Sequence, residues 1–226
     1  MKTLFILGST GDIGKAILDK FVDSGYNVIA PTRAEINLED RESIESYFQK
    51  IKIKQAVDVL IYCAGYNSPK PFNELSYADL DKTSAINTTG FFGIVQRIAP
   101  NMMKVRKGHI LAISSIYGSF SREGRLAYAL SKHALNGMVK TLAIELGKYN
   151  IMVNALSPGF VDTKMTRKNN SEEKIKELCE GVPLGRLAKS PEIANVAFFL
   201  CSAENTYLTG QDIIVDGGYS VGGFQR

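Results

Sequence analysis

Apolar residues fall into short unbroken runs separated by stretches with helical spacing, and the two patterns alternate along the chain. Thr3–Leu7 (TLFIL) is such a run, closed by glycine, and predicts a buried strand. Over 13–24, Ile13, Ile17, Leu18, Phe21 and Val22 share one helix side, and Gly25 ends the pattern as a C-cap would. A second strand is predicted at 26–31. The polar stretch 37–40 then leads into a helix capped by Asp40 or Ser43, with Ile44, Tyr47, Phe48 and Ile51 on its apolar face. A third strand is predicted at 57–62. A long helical region follows over 76–105, divisible into two helices that meet near Asn87. Beyond it come a strand at 109–113, a long helix at 126–149 and a strand at 151–156. Segment 160–189 reads as polar and irregular with one charged helix at 171–179, a candidate lid. Pro191 opens a helix at 192–201 from its first position, and Asp212–Val215 is the last strand. Strands alternating with helices predict an α/β fold with a doubly wound parallel sheet.

Bulk properties narrow the class without naming a chemistry. At 226 residues the chain fits one domain, taken as 1–226. An apolar fraction of 45% and a charged fraction of 22% are ordinary for a globular protein. The net charge of +4 comes without a basic block, so no nucleic-acid partner is expected. Cys63, Cys179 and Cys201 lack metal spacing, and their odd number fits no disulfide framework, so a reducing, cytoplasmic location is expected. His109 and His133 stand far apart, and no metal site is expected. No apolar run reaches the ~18 residues of a membrane span, and neither a leader nor a membrane partner is expected.

Chemistry concentrates at strand ends. Gly8-Ser9-Thr10-Gly11-Asp12-Ile13-Gly14 joins the first strand to the first helix, the setting in which a glycine turn holds a dinucleotide pyrophosphate. Its glycines lie at 8, 11 and 14 rather than in the common G-x-G-x-x-G spacing. The second strand ends in Thr32-Arg33 with no carboxylate before Glu35, which favours the 2′-phosphate of NADP(H) over NAD(H). Cys63-Ala64-Gly65 ends the third strand, where ligands sit in open α/β sheets. Asn87 lies among apolar helix residues and must find partners. Ser114-Ser115 closes the fourth strand. Tyr128 and Lys132, four apart on a helix, share a face about 5–6 Å apart at Cβ. A phenol titrates near ~10. An adjacent ammonium is expected to lower that value and make Tyr128 a general acid or base, with Ser115 offering a hydrogen bond to the same oxygen.

In these residues the chain resembles the short-chain dehydrogenase/reductase family, in its compact single-domain form. The resemblance is carried by Gly8, Gly11 and Gly14, by Cys63-Ala64-Gly65 where the family has Asn-Ala-Gly, and by Asn87. It continues through Ser115, the Y-x-x-x-K pair Tyr128 and Lys132, Ser157-Pro158-Gly159 with Thr163, Thr209-Gly210 and Asp216-Gly217-Gly218. It implies a Rossmann-like fold. It also implies cofactor contacts from Ser9, Thr10, Asp12, Ile13, Leu38, Ala64, Gly65, Tyr128, Lys132, Pro158, Gly159, Val161 and Thr163. Tyr128 would exchange a proton with the substrate oxygen, and Lys132 would bind the nicotinamide ribose. Ser115 would polarise the carbonyl, and Asn87 would hold a relay water. Three departures stand out: Leu7 replaces a threonine, the glycine spacing is nearer the epimerase-like branch, and Cys63 replaces an asparagine.

The reaction implied is interconversion of a carbonyl and a secondary alcohol. The nearest pattern is that of 3-oxoacyl-(acyl carrier protein) reductases, in which Arg106 holds a basic carrier-docking position. The second such position is Tyr149 here, beside Lys148. Arg106 and Lys107 also fit an ordinary solvated turn. A sugar or polyol is the alternative substrate, given the polar loop 67–72. A cofactor-binding regulatory protein is the non-enzymatic alternative, against which the intact Ser115, Tyr128 and Lys132 set argues. The resemblance further implies a homo-oligomer, dimer or tetramer.

Overall fold

The computed structural model describes residues 1–51 and 57–222; the expected domain span 1–226 includes stretches outside them. Six parallel strands form one sheet in the order β2-β1-β3-β4-β5-β6. The strands are β1 (Thr3–Leu7), β2 (Asn27–Ile29), β3 (Val59–Tyr62), β4 (Gly108–Ile113), β5 (Ile151–Pro158) and β6 (Asp212–Val215). β1 and β3 are buried at every position, which is why they read as continuous apolar runs rather than alternating ones.

Side chains alternate across these strands and build two cores. Phe5, Leu7, Leu60, Tyr62, Ile110 and Ala112 face one side, against Phe91, Ile94 and Met102 of α4 (Gly90–Val105) and Leu135 and Val139 of α5 (Leu126–Gly147). Leu4, Ile6, Val59, Ile61 and Leu111 face the other, against Ile17 and Phe21 of α1 (Asp12–Asp23) and Ile193 and Ala197 of α8 (Ser190–Leu200). Each such fully buried side chain contributes ~1.5–3 kcal/mol relative to exposure. The doubly wound parallel sheet expected from the sequence is therefore present.

Local boundaries follow from caps. Asp40, one of the two caps considered, accepts a hydrogen bond from the Glu42 amide at the head of α2 (Arg41–Lys50). Ser43 instead accepts from the Asn37 amide. α3 (Tyr77–Ser84) starts at Ser76, whose hydroxyl and Asp79 form a reciprocal capping box. The two helices expected to meet near Asn87 do so through a π-helical turn, Ala85–Thr89. β5 runs two residues past its expected end because Ser157 and Pro158 pair with Ile214 and Val215 of β6. Segment 160–189 departs from expectation. It holds two helices, α6 (Lys164–Asn169) and α7 (Glu172–Gly181), where the sequence suggested one. The six residues of α6, apolar only at Met165, carry no apolar periodicity, and the helix depends on its cap, Thr163, which accepts from the Thr166 amide. Among the described residues no helix is long and apolar enough to cross a membrane.

Candidate active site

The carboxyl ends of β1, β3, β4 and β5 converge on one cleft of about 390 Å³. Its floor is the glycine turn. Gly8 has φ +81°, and a Cβ there would lie 2.5 Å from the Ala64 nitrogen. A Cβ on Gly14 would lie 2.1 Å from the Gly8 carbonyl oxygen. Gly11 caps α1 without a side chain, and at Gly65 a Cβ would find nothing closer than the Asn87 Oδ1 at 3.9 Å. The result is a bare backbone surface at a helix N-terminus, which fits the pyrophosphate of a dinucleotide.

Ser115, Tyr128 and Lys132 line the same cleft. Lys132, only 3% exposed, donates from Nζ to the Ile113 carbonyl at 2.8 Å and lies 5.6 Å from the centre of the Tyr128 ring. Ser115 ends β4 and accepts from the Tyr117 amide at 3.2 Å. Asn87 is fully buried. Its Oδ1 accepts from the Tyr66 amide at 2.7 Å, and its Nδ2 donates to the Tyr66 carbonyl and the Ser131 hydroxyl, each at 2.9 Å. Ser131 in turn donates to the Tyr128 carbonyl at 2.7 Å. Asn87 thus ties the loop after β3 to the turn of α5 that bears Tyr128. Its amide group is engaged in the fold, where the sequence suggested a water holder.

The π turn has its own support. It leaves the Ile86 carbonyl to the Tyr62 hydroxyl, which donates to it, and Gly90 keeps the space open: a Cβ there would sit 2.5 Å from that hydroxyl.

The electrostatics correct one expectation. Lys132 was expected to lower the Tyr128 pKa. Desolvation dominates instead and pushes the phenol up to about 12, against smaller opposing pulls from Ser115 and Arg125. Burial also depresses Lys132, to about 8. Its ammonium is directed at the Ile113 carbonyl rather than at the phenol oxygen. Cys63, which lines the cleft, has its thiol pushed up to about 12 by burial.

Most expected contact residues line this cleft: Gly8, Thr10, Gly11, Asp12, Ile13, Gly14, Gly65, Ser115, Tyr128, Lys132, Pro158, Gly159, Val161 and Thr163. Five are placed otherwise. Ser9 and Ala64 lie beside the turn without lining the cleft, Ala64 meeting Gly8 through its backbone. Asn87 acts from behind it. Leu38 packs into the core beneath α4, close to Gly90. Arg33 is 75% exposed and pairs with Glu39 at 2.5 Å. Glu35 is turned away, its carboxylate accepting from the amide and hydroxyl of Thr32. Asn67 of the polar loop 67–72 and Lys164 of segment 160–189 line it too, and several lining residues went unnoticed in the sequence, among them Tyr117, Arg122 and Arg125. Arg125 precedes α5 with non-helical backbone, and no spacing in the sequence marks it. The two positions expected to dock a carrier lie together: Arg106 donates to the Lys148 carbonyl at 2.7 Å and lies 5.9 Å from the Tyr149 ring.

Comparison with known proteins agrees with this geometry. The family model described as enoyl-(acyl carrier protein) reductase matches residues 12–220. The chain is 38% identical over 217 residues to the 3-oxoacyl-[acyl-carrier-protein] reductase FabG of Aquifex aeolicus (strain VF5), covering 96% of this chain and 86% of that protein. A structure of a 4-hydroxyisoleucine dehydrogenase mutant complexed with NADH and succinate superposes with a TM-score of 0.93 at 27% identity, covering 98% of this chain and 99% of that one. A structure of ElxO with NADP bound superposes with a TM-score of 0.88 at 26% identity, covering 97% and 99%. Fold, glycine turn and sequence likeness together assign the chain to the short-chain dehydrogenase/reductase family, as an oxidoreductase acting between CH–OH and C=O groups with a nicotinamide cofactor.

Proposed function

We propose that the protein is an NADP(H)-linked carbonyl reductase, with Tyr128 as its general acid. The observation behind this is the phenol itself. Buried beside Ser115 it is held protonated well above neutral pH, the state needed to deliver a proton to a carbonyl oxygen as it becomes an alcohol. The nicotinamide supplies the hydride. Ser115, on the same side as the phenol, orients and polarises the carbonyl. Lys132, anchored on Ile113, binds the nicotinamide ribose and bears on the phenol once its charge is shared with that group. Asn87 holds the Tyr66 loop and the α5 turn in register, which keeps the path from Lys132 to solvent open for a relay water.

The preference for NADP(H) is supported by Arg33, exposed at the end of β2, and by the withdrawal of Glu35 onto Thr32. The NADP named for ElxO is consistent with it. Likeness to FabG supports a 3-oxoacyl carrier-protein thioester as one substrate, and the Arg106, Lys148 and Tyr149 cluster offers an acidic carrier its docking point. Segment 160–189 serves as the lid of this single-domain enzyme. Exposed Leu130, Ile144 and Phe92 on α5 and α4 support a homodimer or homotetramer, and three free cysteines support a cytoplasmic home.

The test is a screen of acetoacetyl thioesters, sugars and simple ketones, followed by loss of NADPH absorbance and repeated with NADH. Turnover of a carbonyl, lost in Tyr128→Phe, is expected. Full turnover in that variant would overturn the assignment, and tighter binding of NADH than NADPH would overturn the role of Arg33.

A further inference from the structure

One end of the cleft carries a positive charge that no acid among the described residues pairs. Arg125 is 9% exposed. Its guanidinium donates from Nη1 to Asn67 Oδ1 at 3.1 Å and lies 5.9 Å from the Tyr117 ring. Neither partner is an acid, and among the described residues Arg125 makes no ion pair. A buried cation without a counter-ion is costly, and such groups are normally paired. Neighbouring Lys70 shows the ordinary solution: its ammonium is paired with Asp79 at 2.8 Å.

The surroundings sharpen the imbalance. Arg122, Arg125, Lys132 and Lys164 all line the cleft, whereas among the described residues Asp12 is its one acidic residue. Asp12 is at the far, glycine-turn end and accepts from the Lys164 amide at 2.7 Å. Lys132 and Lys164 stand beside the cofactor residues. Arg122 and Arg125 do not: they precede Tyr128, and Arg125 meets Asn67 and Tyr117. Arg125 is fixed there by its backbone, its amide donating to the Arg122 carbonyl at 3.2 Å and its carbonyl accepting from the Ala129 amide at 2.7 Å. The loop opposite is held to the same place, the Lys70 amide donating to the Gly124 carbonyl at 3.1 Å.

We propose that Arg125, assisted by Arg122, is a specificity-determining site for a carboxylate on the substrate itself, so that the enzyme reduces a small oxo acid, or oxidises the matching hydroxy acid, rather than a neutral ketone. The planar guanidinium fork suits a carboxylate in a two-point contact, and Asn67 holds the fork in orientation. Arg125 and Tyr128 are three residues apart at the start of α5, so the carboxylate and the reacting carbonyl must be close neighbours in one short molecule. This rests on the reductase reading above and sets a small acid in place of the carrier-protein thioester as its substrate.

The test compares two probes that share one carbonyl: acetoacetate and its neutral ethyl ester, each with NADPH, together with a neutral acetoacetyl thioester. Wild-type enzyme is expected to favour the acid over the ester by at least about tenfold in kcat/KM. Arg125→Gln is expected to cut that ratio by about 10- to 100-fold, chiefly through KM, in line with the ~1.5–3 kcal/mol of a charge-assisted hydrogen bond. Because acid and ester are measured on the same sample, incomplete folding of the variant cancels from the ratio, and Arg125→Lys should restore part of the preference. A wild-type enzyme that takes ester or thioester at least as well as acid, or a variant that keeps the acid preference, would overturn the carboxylate site and leave the reductase reading standing. Failure to reduce any of the three would remove both.

Discussion

Asp12 and Lys164, 152 residues apart, are joined by one hydrogen bond of 2.7 Å from the Lys164 amide to the Asp12 carboxylate. It fastens the head of α6, and so the start of the segment above the cleft, to the glycine turn below it. Asp12→Ala should release that fastening. We expect about fivefold weaker NADPH binding by fluorescence titration, from the loss of a hydrogen bond worth ~1 kcal/mol, and faster proteolytic nicking within 164–170. Asp12→Asn keeps an acceptor and should stay near wild type in both measurements; weakening equal to that of Asp12→Ala would mean that charge, not the hydrogen bond, matters.

Tyr128→Phe and Ser115→Ala should separate proton delivery from carbonyl orientation. Removing the phenol is expected to cost ~10²–10⁴ in kcat. Removing the Ser115 hydroxyl should cost ~10²–10³, since one donor to the reacting oxygen is lost. Steady-state kinetics on a single carbonyl probe decide this, and a Ser115→Ala enzyme at full rate would show that the serine only caps its turn.

Burial of Lys132 predicts a pH signature in stability. Its folded pKa, about 8, lies below its ordinary value of 10.5. Between these values the unfolded chain holds a proton that the folded chain has released. The cost of burying the charge is therefore fully present below about pH 8 and fades as the pH rises toward 10.5. At ~1.4 kcal/mol per pH unit, the recovered stability is ~3 kcal/mol. Urea unfolding of wild type and Lys132→Met across this range should show the rise in the wild type only; parallel curves would place the ammonium in water.

The Tyr62 hydroxyl and Gly90 form a coupled pair. Gly90→Ala sets a methyl group 2.5 Å from that hydroxyl and 2.9 Å from the Ala85 carbonyl oxygen, and should cost ~1–3 kcal/mol. Tyr62→Phe leaves the Ile86 carbonyl without its donor at a cost of ~1–3 kcal/mol. The double variant should lose less than the sum by at least ~0.5 kcal/mol, since the methyl group enters the space the hydroxyl vacates. Additive losses in thermal unfolding would show that the two do not meet.

The sheet was legible because its central strands are buried on both faces, so Thr3–Leu7 and the end of β3 read as plain apolar runs. The glycine turn and the Tyr128–Lys132 pair were legible because the spacing of each follows from the element that holds it. What lay hidden depends on packing between distant segments. The upward shift of Tyr128 comes from desolvation by the loops around it, and no spacing reports that. Asn87 was visible as a buried amide, whereas its partners Tyr66 and Ser131, 21 and 44 residues away, were not. α6 was hidden because its six residues repeat no apolar pattern. Arg125 passed as a polar residue ahead of a helix, and only the burial of its side chain gives it meaning.

The contact of Gly8 with Ala64 and Gly14 reaches beyond catalysis. The backbone that would cradle a pyrophosphate is also a place where the ends of β1 and β3 and the start of α1 press together, so no side chain can be tried at Gly8 or Gly14 without prising them apart. The molecule is thereby divided into a part that mutation cannot explore and a part that it can. Arg33, Arg125 and the helix Glu172–Gly181 stand in the second part, away from the Gly8, Ala64 and Gly14 contacts. New cofactor preferences and new substrates are to be sought by variation there, on a floor that must stay as it is.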